Sequence, residues 1–182
     1  MNEKELKISA ESARRAYKYT DDKGKKLLES LFGMEIFAMD DIRGRIKTFE
    51  DAITVLGNDN QAVFDYYKLA DADIAEDILA FARLRVITEA LNEGWYPQYN
   101  GEESYYVWIS VFSKSEYDDL SEEEKKDYYN VNINNNDVYV FVTYTSTLAI
   151  VHRSLRLALK TKELAKYCGK QFFYYWEKYL FA

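Results

Sequence analysis

The sequence predicts an α+β fold, and three observations predict it. Capped segments with apolar stripes fill the first half, β-branched and aromatic runs fill the third quarter, and another helical segment closes the chain. Ser9 or Ser12 caps a short helix through Tyr17, and Asp21-Asp22 precede a helix whose Leu27, Leu28, Leu31 and Phe32 share a face and which ends at Gly33. Thr48 with Asp51 three residues later forms a capping box, Gly57 closes that helix, and Asn60 starts the next. A long helix is expected from near Asp73, with Ile74, Ile78, Phe81, Leu84, Thr88 and Leu91 as its apolar stripe and Asn92-Glu93-Gly94 as its stop. Strands are expected over 104–112, 137–145 and 147–160, with a hairpin turn at Thr145-Ser146-Thr147. Between the first two lie a polar helix over Glu122–Tyr129, capped by Ser121 with Glu124, and a loop over 130–137. A final helix begins at Thr161 and buries Leu164, Tyr167, Cys168, Phe172, Tyr175 and Tyr179. The three strands are expected to form a small antiparallel sheet covered by the long helix and the C-terminal helix.

The size of 182 residues and 21.4 kDa suits a single domain over 1–182, helical over about 1–94, with the sheet and C-terminal helix over about 95–182. One Cys excludes an internal disulfide, and one Cys with one His excludes the usual four-ligand zinc sites. There is no apolar run of about 18 residues to span a bilayer. The charged first residues lack the apolar stretch of a secretory signal, so a cytoplasmic, reducing setting is expected.

Catalytic equipment is sparse. His152 and Cys168 are the sole His/Cys pair, and Cys168 falls on the apolar side of its helix, where thiols are inert packing. The glycines stand singly, without a phosphate-binding loop, and Gly169 inside a helix points to close approach of a neighbouring element. Asp71-Ala72-Asp73 and Asn134–Asp137 lack the Gly and terminal Glu of a calcium loop. No enzyme, no metal and no cofactor are expected.

Charge and tyrosine carry the remaining signal. Residues 1–50 hold 11 basic and 10 acidic side chains, residues 51–150 hold 6 and 19, and residues 151–182 hold 7 and 2. The basic end offers a candidate interaction face of Arg153, Arg156, Lys160, Lys162, Lys166 and Lys170. A strand over 152–160 would turn its basic residues outward, and lysines every four residues line one helix stripe, an arrangement suited to phosphates or to an acidic protein surface. The acidic middle offers a second candidate, Asp118, Asp119, Glu122 and Glu123 with Tyr105 and Tyr106. Asp71, Asp73, Glu76 and Asp77 suit a helix N-terminus. The 17 tyrosines fit either interfaces or a core whose hydroxyls reach water.

Several segments together resemble a family of small proteins. They are Thr48-Phe49-Glu50-Asp51-Ala52, Ala90-Leu91-Asn92-Glu93-Gly94-Trp95 with Pro97, Tyr105-Tyr106 with Trp108, and Ser154–Tyr167 leading into Gly169-Lys170-Gln171-Phe172. That family is encoded by phages and mobile elements of gut bacteria. Its loop before the last strand is rich in Gly, Asn and Ser, whereas Val138–Val151 here is dense in β-branched and aromatic residues. By analogy with inhibitors that such elements deploy, including type II anti-CRISPR proteins, the resemblance implies a non-enzymatic protein of the bacterial cytoplasm. It would occupy a host defence nuclease, or that nuclease's nucleic-acid complex, of the CRISPR or restriction kind. The alternatives are direct nucleic-acid binding through the basic C-terminal face, and a virion or interaction component.

Overall fold

The computed structural model describes residues 8–38, 41–97, 102–133, 136–147 and 155–182, which fall into two compact units, 1–45 and 46–182. The fold is α+β, with a three-stranded antiparallel sheet and a C-terminal helix packed on it.

The first unit contains α1 (Ala10–Tyr19), α2 (Asp22–Phe32), α3 (Met34–Ala38) and α4 (Ile42–Arg45). Ser9 and Asp21 cap α1 and α2 by accepting amide hydrogen bonds, as their residue types dictate. Tyr17 stacks on Phe37 with ring centres 4.4 Å apart and donates its hydroxyl to Glu29, which pushes the Tyr17 pKa up to about 12. The apolar face expected for α2 is not a core face, because α2 has no buried residue and Leu27 and Leu31 are exposed.

The second unit is built around α7. The capping box of Thr48 and Asp51 starts α5 (Phe49–Leu56), Asn60 caps α6 (Gln61–Ala70), and α7 (Glu76–Asn92) follows. The helix starts at Glu76, later than the sequence expectation, so Ile74 precedes it and Ile78 is exposed near its start. Its last three turns bury Leu84, Val86, Ile87, Thr88, Ala90, Leu91 and Asn92, residues that occupy more than one stripe. The reason is packing: α5, α6 and the last helix of the chain all lie against it. Glu93 and Gly94 turn the chain out through positive φ values of 50° and 83°.

Next come β1 (Ser104–Phe112), α8 (Lys114–Asp118), α9 (Glu122–Lys125), β2 (Tyr128–Ile133) and β3 (Asn136–Thr147), with sheet order β1-β3-β2. Two expectations change here. The expected helix over Glu122–Tyr129 stops at Lys125, and most of the expected loop over 130–137 is strand. Tyr129, Val131 and Ile133 alternate with Asn130 and Asn132, a period of two that the asparagines disguise. The hairpin turn at 145–147 is also absent, since β3 runs through Thr147 paired with Ser104.

The strand expected over 147–160 does not supply the third strand. Residues 148–154 lie outside the described residues, and Leu155–Leu157 form a 3-10 turn. Leu157, Ala158 and Leu159 are all buried, which breaks the expected inward and outward alternation. The backbone there finds other partners. Leu159 exchanges two hydrogen bonds with Tyr105 at the β1 edge, and the Asn92 side chain donates to the Ala158 carbonyl and accepts from the Lys160 amide.

The expected final helix is two. Thr161 caps α10 (Lys162–Gln171), Phe172 leaves helical geometry, and α11 (Phe173–Phe181) packs along α7. The cover over the sheet is α10, whereas α7 packs chiefly with helices. A Cβ on Gly169 would lie 2.5 Å from Val142 Cγ1 and 2.7 Å from Val107 Cγ1, so the close approach read from the sequence is real.

Candidate interaction surfaces

Strand alternation and register sort the sheet into two faces. Val107 pairs with Tyr144, Ile109 with Val142, Tyr129 with Val140 and Val131 with Val138, and these residues form the face beneath α10. Val131, Val140 and Val142 are buried there, and Tyr129 stacks on Phe173 at 4.1 Å.

The opposite face carries Tyr106, Trp108, Ser110 and Phe112 of β1, Tyr139, Phe141, Thr143 and Thr145 of β3, and Tyr128 of β2. Within the second unit, α8 is the described helix that packs closely against it. Tyr117 of α8 stacks on Tyr139 at 3.7 Å and meets Tyr128 edge-on, and Phe112 and Phe141 complete the aromatic group. Trp108 lies beyond this group, 53% exposed, with its indole N–H donated to Ser110. Tyr106 on the same face is 8% exposed, so it does not present the contact surface expected of it. Tyr105 is half-buried and donates its hydroxyl to Glu103. The sequence reading passed over Trp108. Alternation places Trp108 on the same strand face as Tyr106, and no signal in the sequence separates the two; the surroundings of the sheet alone leave Trp108 exposed and Tyr106 buried.

Beside this face runs the acidic segment Ser113–Asp127, with seven carboxylates against three lysines. Ser113 with Glu116 and Ser121 with Glu124 form capping boxes, and these bonds hold both carboxyls below the usual range. Glu122 pairs with Lys125 and Glu123 with Lys126 at the surface. Asp118 and Asp119 are exposed and form no ion pair among the described residues. The other acidic group divides: Glu76 and Asp77 occupy the first turn of α7, as expected for helix-start chemistry, whereas Asp71 is the C-cap of α6 and Asp73 precedes α7, so neither serves a helix N-terminus.

The basic candidates divide. Lys162, Lys166 and Lys170 do share an exposed stripe of α10. Lys170 pairs with Asp127 at 2.7 Å, Lys162 lies 3.8 Å from Glu163, and Lys166 sits 5.3 Å over the Tyr144 ring. Lys160 turns away from this stripe, bound to Glu93 at 2.9 Å and to the Asn92 carbonyl. Arg156 is exposed on the 3-10 turn, and Arg153 and His152 lie outside the described residues. With no strand over 155–160, the expected cationic strand face does not form there. Burial pushes the Cys168 thiol up to about 12, away from any nucleophilic role near neutral pH.

Among the described residues, no group of three or more His, Cys, Asp or Glu is placed to hold a metal ion, and no helix is long and apolar enough to cross a membrane. No family model matches the chain, and no curated protein or solved structure matches it.

Proposed function

We propose that the chain is a non-enzymatic binding protein of phage or mobile-element origin that blocks a host defence nuclease, of the CRISPR or restriction kind, by occupying its basic channel. One observation carries this reading: an open sheet face anchored by Trp108 lies beside the carboxylate-rich α8–α9 segment. An exposed tryptophan on a rigid strand offers a large contact area at low entropic cost, and aromatic anchors dominate interface energetics. The carboxylates supply complementarity to the Lys and Arg that line a nucleic-acid channel, and they speed encounter with it. Direct nucleic-acid binding through α10 is the weaker reading, because a phosphate at Lys170 or Lys160 must displace a carboxylate partner already in place.

The test is capture by tagged protein from lysate of a bacterium carrying CRISPR and restriction systems, with and without nuclease digestion. The expected result is a stoichiometric nuclease whose activity the protein inhibits, with capture lost in Trp108→Ala and in the double variant Asp118→Lys/Asp119→Lys. Recovery of nucleic acid alone, abolished by digestion, overturns the reading. In that case affinity should fall with salt at a log–log slope of about −0.7 to −0.9 per phosphate contact, and Lys162, Lys166 and Lys170 all changed to Glu should abolish binding. Co-purification with virus particles is the readout for a virion component.

A further inference from the structure

β1 is an edge strand of unusual composition. Sheets protect their edges with charge, proline or a bulge, because a bare row of amides and carbonyls recruits another strand. Ser104–Phe112 has no charged residue and no proline, and its pairing with β3 runs without interruption from Ser104 to Phe112. Among the described residues, its outer edge is paired at one end alone, where Tyr105 exchanges two hydrogen bonds with Leu159. Those bonds also fix which backbone groups point outward. Tyr105 directs its N–H and C=O away from β3, and backbone direction alternates along a strand, so Val107, Ile109 and Val111 do the same. Among the described residues, nothing pairs with these three on that side. Val111 is 50% exposed on one face of the strand and Trp108 53% on the other.

We infer that this edge pairs with the same edge of a second copy of the chain, antiparallel, about a two-fold axis at Ile109. The sequence is self-complementary in that register. A two-fold contact requires that each residue pair occur twice in reverse. Centring on Ile109 sets Ile109 against Ile109, Val107 against Val111 and Trp108 against Ser110. Val107, Ile109 and Val111 then form directly bonded pairs, with roughly six backbone hydrogen bonds in all. β-branched residues meet β-branched residues, side chains that suit a pleated, half-buried surface. A charged edge would repel its own copy, and this edge has no charge to do so. The axis runs perpendicular to the sheet, so both Trp108 faces lie on the same side of one six-stranded sheet.

The experiment is sedimentation velocity of the full chain over a wide range of concentration, with amide hydrogen exchange on the same samples. The expected result is a species of twice 21.4 kDa in which the amides of Val107, Ile109 and Val111 are protected. Val111→Lys, at an exposed position, should raise the dissociation constant at least about tenfold and expose those three amides, with the circular dichroism spectrum unchanged. A chain of 21.4 kDa at every concentration overturns the inference. So does a dimer that survives Val111→Lys with the three amides exchanging freely. Neither readout depends on a partner protein, so failure here leaves the nuclease-blocking proposal standing, and the converse holds.

Discussion

The two faces of the sheet are both largely apolar, one chiefly valine and isoleucine and the other chiefly aromatic, and they have opposite fates. Under α10, Val131, Val140 and Val142 are sealed and a glycine is required for the helix to come close enough. On the other face, Trp108, Phe141, Tyr128 and Tyr139 make an aromatic surface that the five-residue α8 partly covers, with Trp108 left 53% exposed. Both faces are rich in large apolar side chains, so hydrophobicity alone does not separate core from contact surface in this chain. What separates them is which face a second layer reaches, and the covered face should carry stability while the open face carries recognition.

The sharpest way to break that contrast is at Gly169. Gly169→Val drives a branched side chain into Val107 and Val142, and overpacking of this kind should cost about 3 kcal/mol in urea denaturation. If instead the variant unfolds at the wild-type urea concentration, α10 does not seal this face. Asn92→Ala should cost about 2 kcal/mol, because it strips the Ala158 carbonyl and the Lys160 amide of their partner at a buried site. The same measurement then compares the faces directly. Tyr129→Ala, which loses a stack on Phe173 under the helix layer, should cost about 2 kcal/mol, and Tyr139→Ala, which loses a stack on Tyr117 of α8, about 1 kcal/mol. Equal losses would erase the distinction. Trp108→Ala should change stability by less than about 0.5 kcal/mol while removing partner capture, since half of its surface already faces water.

Cys168 gives a chemical version of the comparison. Its thiol lies among buried groups between α10 and α7, and burial raises its pKa to about 12 from an ordinary 9.0, with the Trp176 indole and the Thr88 hydroxyl pulling weakly the other way. The unfolded chain loses this proton near pH 9 and the native chain keeps it, so stability should fall as pH rises from about 9 to about 12. Cys168→Ala should flatten that part of the profile. Iodoacetamide at pH 8 should leave the native protein unmodified and label it rapidly in urea.

Much of the local structure is legible in particular residues. Thr48 with Asp51, Ser121 with Glu124, and Asn60 each cap the helix that their chemistry implies, because a side-chain oxygen and an orphan amide a few residues apart need no distant partner. The stripe of Lys162, Lys166 and Lys170 is likewise a consequence of helical spacing. Val131 and Ile133 show how a strand escapes notice when asparagines fill the alternate positions. Leu155–Lys160 shows the reverse. Its leucines alternate like a strand, yet the segment turns, because Asn92 and Tyr105 supply its backbone bonds from 66 and 54 positions earlier in the chain.

The candidate surfaces follow the same division. Charge counts locate the lysines and carboxylates, but only the fold reveals that Lys160 and Lys170 hold Glu93 and Asp127 while Asp118 and Asp119 stay open to solvent. The sequence by itself determined the α+β class, the helix caps, the lysine stripe and the need for a small residue at position 169, because each follows from contacts within a few residues or from the space a side chain fills. Tertiary structure alone decided which strand completes the sheet, which face α10 covers, and that Trp108 rather than Tyr106 meets the solvent. Those outcomes depend on pairings between distant segments, and a strand's alternation marks two faces without saying which one a neighbouring layer will bury.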